Sequence, residues 1–199
     1  SSAAVNIGGV TPQLEDLFSF LRFASVSTDS RHAGDVRACA EWLLAKLSGM
    51  GLIASLHDTP GHPVVLAKNA HQEGRRTVLI YGHYDVQPAD PFELWHTPPF
   101  EPTIRKTEIH PEGAIFARGS CDDKGQMFSH VKAFEAMVKT GELPCNIKFM
   151  IEGEEEAGST NLGPFCMANK ERLKADVVLI SDTSIIANDV PSIDCGLRG

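Results

Sequence analysis

A chain of 199 residues, 42% hydrophobic and 22% charged, is long enough to bury a core of ordinary composition in one large domain. Its formal net charge of −8, with no basic cluster anywhere, argues against nucleic acid and anionic membrane as partners, and its apolar runs are too short to span a bilayer. The five cysteines, Cys39, Cys121, Cys145, Cys166 and Cys195, are dispersed without CxxC spacing, which reads as reduced thiols in a cytoplasmic protein rather than a disulfide framework or a thiolate zinc site.

The opening SSAAVNIGGV lacks an initiator Met and the basic and apolar regions of a signal peptide, so a processed or excerpted chain is expected. Thr11-Pro12 supplies an N-cap and a first-turn proline for an amphipathic helix running to Val26. A second helix is predicted over residues 34–51, where Val36, Cys39, Ala40, Leu43, Leu44 and Leu47 recur at helical spacing and Gly51 stops it. LIASLHD, HPVVLAKN and RRTVLIYG read as strands, the last ending at Gly82. Residues 89–111 form a long irregular stretch rich in proline and aromatics, of the kind that is functional or ordered by packing. GAIFARGS is the next strand, followed by a helix over KGQMFSHVKAFEAMVKTG, the strand NIKFMIE, a helix over NLGPFCMANKERLK and the strand ADVVLISD. Strands alternating with helices predict an α/β fold: a central mixed, mostly parallel sheet flanked by helices.

Three strands end in polar clusters, LIYGHYD, IKFMIEGEEE and VVLISD, and a fourth runs into RGSCDD. In open α/β sheets ligand sites gather beyond the carboxyl ends of the strands. Each cluster alone has an ordinary explanation. His83 and Asp85 can be a solvated turn pair, Asp122, Asp123 and Asp182 can be helix or turn caps, and Glu152, Glu154, Glu155 and Glu156 can be an acidic loop. Together they bring more negative charge to one end of a sheet than a site tolerates unpaired. Divalent cations would relieve it, and one imidazole with several carboxylates and no thiolate suits Zn²⁺, Mn²⁺ or Co²⁺. Asp85, two residues from His83, lies on the same face of an extended segment, where it can orient the imidazole.

GHYDVQP, ARGSCDDKGQ, EGEEEAGS and ISDT occur in an order and spacing that resemble the M20 family of metallopeptidases. The likeness runs from about residue 12 to the end, and WHTPPFEPTIR with the terminal GLRG resembles most its dipeptidase (carnosinase-like) branch. The resemblance implies a zinc-exopeptidase-like catalytic domain that hydrolyses the amide bond of dipeptides through a water held by two divalent ions, zinc before manganese or cobalt. It places His83 and Asp182 on one metal, Asp122 as the bridge, Glu156 on the second metal and Glu155 as general base. Asp85 orients His83, the Asp122–Asp123 peptide is cis, and Asp123 and Gly153 support the site. Glu154 falls on a variable position, and Glu152 has a structural role.

In that family a further histidine ligand follows an inserted lid domain through which the enzymes dimerise. All eight histidines here lie at or before His130, so residues 1–194 are expected to be the N-terminal portion of the catalytic domain and 195–199 the start of the connection to the lid. Little turnover is expected of this chain alone, and a homodimer of the full-length protein. An N-acyl-amino-acid deacylase of the same family and a non-catalytic metal-binding module are the alternatives.

Overall fold

In a computed structural model that describes residues 11–193, a sheet built from hairpin and crossover connections carries helices on its two faces. Helix α1 (Pro12–Leu21) starts where Thr11 Oγ1 accepts from the Leu14 N–H at 3.3 Å. It stops short of the predicted Val26 because the next residues serve a strand end instead. Val26 bridges Val86 in parallel, and Ser25 Oγ–H donates to the Tyr84 carbonyl at 2.7 Å. Helix α2 (Ala33–Gly49) buries Val36, Cys39, Ala40, Leu43 and Leu47, while Leu44 is only half-buried. Gly51 follows it in the left-handed region, at φ 86°, as a helix stop requires.

Strands β1 (Ile53–His57), β2 (Val64–Lys68), β3 (Thr77–His83), β6 (Asn146–Glu152) and β7 (Val177–Ile180) form one sheet in the order β1-β2-β6-β3-β7. β1 and β2 form an antiparallel hairpin, and β2 is antiparallel to β6; the three strands β6, β3 and β7 are mutually parallel. The sheet is therefore mixed, and its parallel half is the half whose carboxyl ends meet. β3 runs one residue past the predicted Gly82, to His83.

The strand alternation sorts side chains into two cores. Val65, Ala67, Ile80, Ile147, Phe149 and Ile151 face α1, α2 and helix α3 (Lys124–Thr140). Val64, Leu66, Leu79 and Met150 face helices α4 (Leu162–Ala168) and α5 (Lys170–Leu173). The single helix predicted over residues 161–174 is thus two. At Asn169, where they meet, the side-chain amide donates to the Phe165 carbonyl at 3.0 Å, competing with the helical ladder.

The long stretch 89–111 contains a strand that the sequence pattern did not reveal, β4 (Thr103–Arg105), paired antiparallel with β5 (Ala114–Phe116). The rest is ordered by packing. Trp95 Nε1–H donates to the Ala89 carbonyl at 2.8 Å, and the Arg118 guanidinium lies 5.3 Å from the Trp95 ring centre. Among the described residues, Cys39, Cys121, Cys145 and Cys166 are free thiols, and no helix is long and apolar enough to cross a membrane. The predicted boundary at 194/195, Cys195 and the terminal GLRG lie outside the described residues.

Candidate metal centre

β3 delivers His83 to the carboxyl edge of the sheet, fully buried. It reaches that depth because Gly82 lets β3 approach the start of α3: a Cβ there would overlap Met127 and lie 2.8 Å from Asp123 Oδ2. The His83 N–H donates to that same Asp123 oxygen at 3.1 Å. Its ring Nδ1 is 3.0 Å from the Asp85 carbonyl and 3.2 Å from Asp85 Oδ1, so the ring is held by backbone as well as carboxylate.

The other ring nitrogen carries the decisive geometry. His83 Nε2 is buried with no hydrogen-bond partner among the described residues. Facing it are Asp122 Oδ1 at 3.2 Å, Asp182 Oδ2 at 3.4 Å and Glu155 Oε2 at 3.8 Å. With Nδ1 donating to Asp85, Nε2 presents a lone pair to oxygens that are acceptors when ionised. A positive charge between them reconciles these groups. Burial lowers the pKa of the ring, but Asp85, Asp123 and Asp182 outweigh it and raise it to about 10; in a metal-free chain the positive charge is a proton. His83, Asp122 and Asp182 offer ligand atoms within 4.8 Å of one another, and so do His83, Glu155 and Glu156. This donor set of one nitrogen and several carboxylate oxygens fits a divalent ion.

The predicted site residues therefore converge from four chain segments. Asp122 is exposed and Asp123 buried, joined by a cis peptide just before α3. Burial raises the Asp123 carboxyl to about 7. Glu155 and Glu156 stand in a one-turn 3-10 helix after β6, and burial raises the pKa of each. Asp182 follows β7. Gly153 has no room for a side chain, since a Cβ would overlap the Tyr84 ring and hydroxyl. Glu152 is fully buried and accepts from Tyr81 Oη–H at 2.5 Å and Ser159 Oγ–H at 2.9 Å. Glu154, placed at a variable position by the resemblance, accepts from Asn161 Nδ2–H at 3.1 Å and points away from this group.

Residues 79–193 match Peptidase family M20/M25/M40. The chain belongs to that family. It is 39% identical over 145 residues to a Cys-Gly metallodipeptidase of Schizosaccharomyces pombe, covering 71% of this chain and 29% of the relative. It is also 39% identical over 143 residues to the human Beta-Ala-His dipeptidase, covering 70% and 27%. Among solved structures, human carnosine dipeptidase 1 superposes with a TM-score of 0.79 at 29% identity, over 87% of this chain and 39% of that one. The chain thus spans well under half the length of these relatives.

Several further residues around this site were given no role by the sequence, although Gln87 and Gln126 lie within the GHYDVQP and ARGSCDDKGQ motifs. Ser27 Oγ–H donates to Asp85 Oδ2 at 2.5 Å, from a position remote in sequence. Gln87 Nε2–H donates to Glu156 Oε2 at 2.5 Å. On α3, Gln126 Nε2–H donates to the Thr183 carbonyl at 2.8 Å, and His130 Nε2 contacts Ser181 Oγ. Gln126 and His130 are one helical turn apart and hold the residues on either side of Asp182. Their i,i+4 spacing just after Asp122-Asp123, with Gln126 closing the ARGSCDDKGQ motif, is the sequence signal that could have found them.

Proposed function

We propose that this chain provides the metal-binding and proton-transferring core of a hydrolase that cleaves the amide bond of dipeptides or similar small peptides. The observation that carries the reading is the buried, unpartnered Nε2 of His83 facing three carboxylates. The dipeptidase relatives support the substrate class.

In this reading His83 and Asp182 would hold one divalent cation, and Glu156 with Asp122 would help hold a second; zinc suits the donors best, with manganese or cobalt as substitutes. Such ions, when bound, supply Lewis acidity toward a carbonyl oxygen and make water a stronger acid. The chain's own groups do the rest. Glu155 takes a proton from the attacking water and returns it to the leaving nitrogen, and the second water proton follows to the released amine, so that water and amide become carboxylate and ammonium. Asp85 fixes the His83 ring through Nδ1 and accepts the N–H groups of Glu155 and Glu156 at 3.2 and 3.0 Å. One carboxylate thereby sets the spacing between the imidazole and the general base. Asp123 holds the His83 backbone, and Gly153 lets the glutamate turn pass over Tyr84.

Glu155→Gln in the full-length protein tests the assignment. It should keep its cations, read by metal analysis, and lose roughly 10²–10⁴-fold in kcat; activity surviving within about tenfold would overturn the role. Substrate class is tested by dipeptides against N-acetyl and N-succinyl amino acids, and faster turnover of the acylated compounds would replace the dipeptide reading with a deacylase. The proposal extends to a homodimer in the cytoplasm, where the free thiols would stay reduced. Sedimentation of the full-length protein tests the dimer.

A further inference from the structure

A second charge conflict, of opposite sign, lies toward the other end of the sheet. Lys68 on β2 and Lys148 on β6 are direct partners in the antiparallel register, so both side chains stand on one face at close range. Like charges opposed in this way destabilise a sheet. Lys148 precedes Glu152, the register partner of His83, by 152 − 148 = 4 residues, roughly 13 Å along the strand; the pair is remote from the metal centre.

Arg172 joins the two lysines from α5. The three cations line a cavity of about 330 Å³ whose apolar walls include Ile53, Leu66 and Leu173. Lys148 donates to the carbonyls of Arg172 and Lys174 at 2.7 and 2.6 Å, which draws the end of α5 over the sheet and roofs the cavity. Burial lowers the Lys148 pKa and Lys68 lowers it further. Burial and Arg172 likewise lower His57, which shares this face of the sheet from β1. Among the described residues, none of Lys68, Lys148 and Arg172 pairs with a carboxylate. Among the described residues Lys148 keeps one of its three N–H donors free beyond the two carbonyls. With the exposed Lys68 and Arg172 it sets positive charge beside apolar walls, a pairing that favours an anion with an apolar body.

We propose that this cavity binds a small organic anion, a carboxylate on a short apolar body. Its head group sits among Lys68, Lys148 and Arg172, and its body packs on Ile53, Leu66 and Leu173. The volume lies at the small end of ligand pockets, which run roughly 300–1,000 Å³, so it suits a short acyl or aryl carboxylate rather than a dinucleotide. Both halves of the ligand matter, because the walls reject a bare, strongly hydrated anion and the cations gain nothing from a neutral chain.

Calorimetric titration of the full-length protein with octanoate tests the site, with octanol and inorganic phosphate as its separated halves. Each titration is repeated after EDTA treatment, so that binding at the His83 centre does not contribute. Octanoate should bind one-to-one in both preparations, at least about tenfold more tightly than either half, the scale of one charge-assisted hydrogen bond. The double substitution Lys68→Ala and Arg172→Ala, both exposed positions, should weaken octanoate at least about tenfold and leave peptide hydrolysis unchanged. Ile53→Trp, which fills the cavity from an exposed strand, should block octanoate without touching a cation. No binding at millimolar octanoate, equal affinity for octanol, or unchanged affinity in the variants would each overturn the proposal.

Discussion

Asp85 is fully buried and accepts from Ser27 Oγ–H at 2.5 Å and from the N–H groups of Glu155 and Glu156 while contacting the His83 ring. Asp85→Ala strands those donors in the interior, and each unsatisfied buried group costs about 1–3 kcal/mol. The variant should lose at least about 3 kcal/mol in urea unfolding and bind divalent ions more weakly, because imidazole and glutamate turn lose their shared anchor together. Ser27→Ala removes one donor only and should cost about 1 kcal/mol by the same measurement. Asp16, between Lys46 and Lys132 at 2.6 and 2.7 Å, carries a pH dependence. Burial pushes its carboxyl up, but the two lysines prevail and hold it below its ordinary 3.8. A depressed folded-state pKa means the unfolded chain binds the proton first. The contribution is therefore complete above 3.8 and fades as pH falls through the lower folded value. Acid unfolding of Asp16→Asn should show a flatter stability slope below that pH than the parent.

Helix α3 does three jobs along its length. Its start follows Asp122 and Asp123, its buried stripe of Met127, Phe128, Val131 and Phe134 packs on the sheet, and its outer turn holds the Asp182 segment through Gln126 and His130. His130→Ala should weaken divalent-ion binding by about tenfold or more, as loss of such supporting contacts does. Its unfolding midpoint should stay close to the parent's, which separates a positioning role from a merely structural one. On α2, Leu43 is fully buried among sheet and helix side chains, and Leu43→Ala should cost 2–5 kcal/mol in denaturant, roughly the usual range for such a cavity. At this scale the elements were legible where periodicity was strong. α2, α3 and β6 follow their patterns nearly residue for residue, because each buries one regular face. Helix α1 ran short of its pattern because Ser25, Val26 and Ser27 are claimed by the His83 segment, and β4 stayed hidden because its three residues are too few to show a period.

Across the whole molecule, the parallel half of the sheet aims β3, β6 and β7 at one place, and with the start of α3 it gathers the candidate metal ligands from residues as far apart as His83 and Asp182. Among the described residues the same architecture leaves β7 on the sheet edge, with Val177, Val178, Leu179 and Ile180 between 40% and 58% exposed. An apolar edge strand with free backbone groups recruits other strands. This chain in isolation should therefore self-associate in light scattering, and Val178→Lys should reduce that association. The sequence by itself determined the family and the order of the elements, and it pointed three motifs to one place, because β3, β6 and β7 are parallel and end together. The Asp122-Asp123 motif reaches the same place from the start of α3, since β5 before it pairs only with β4 in a separate two-stranded sheet. Only the tertiary structure decided how those groups are held. Ser27 on Asp85, Gln87 on Glu156, and Gln126 and His130 beside Asp182 act across the chain through single hydrogen bonds, whose partners no local pattern reveals. The opposed Lys68–Lys148 pair belongs to the same class: strand register, not composition, places two like charges face to face.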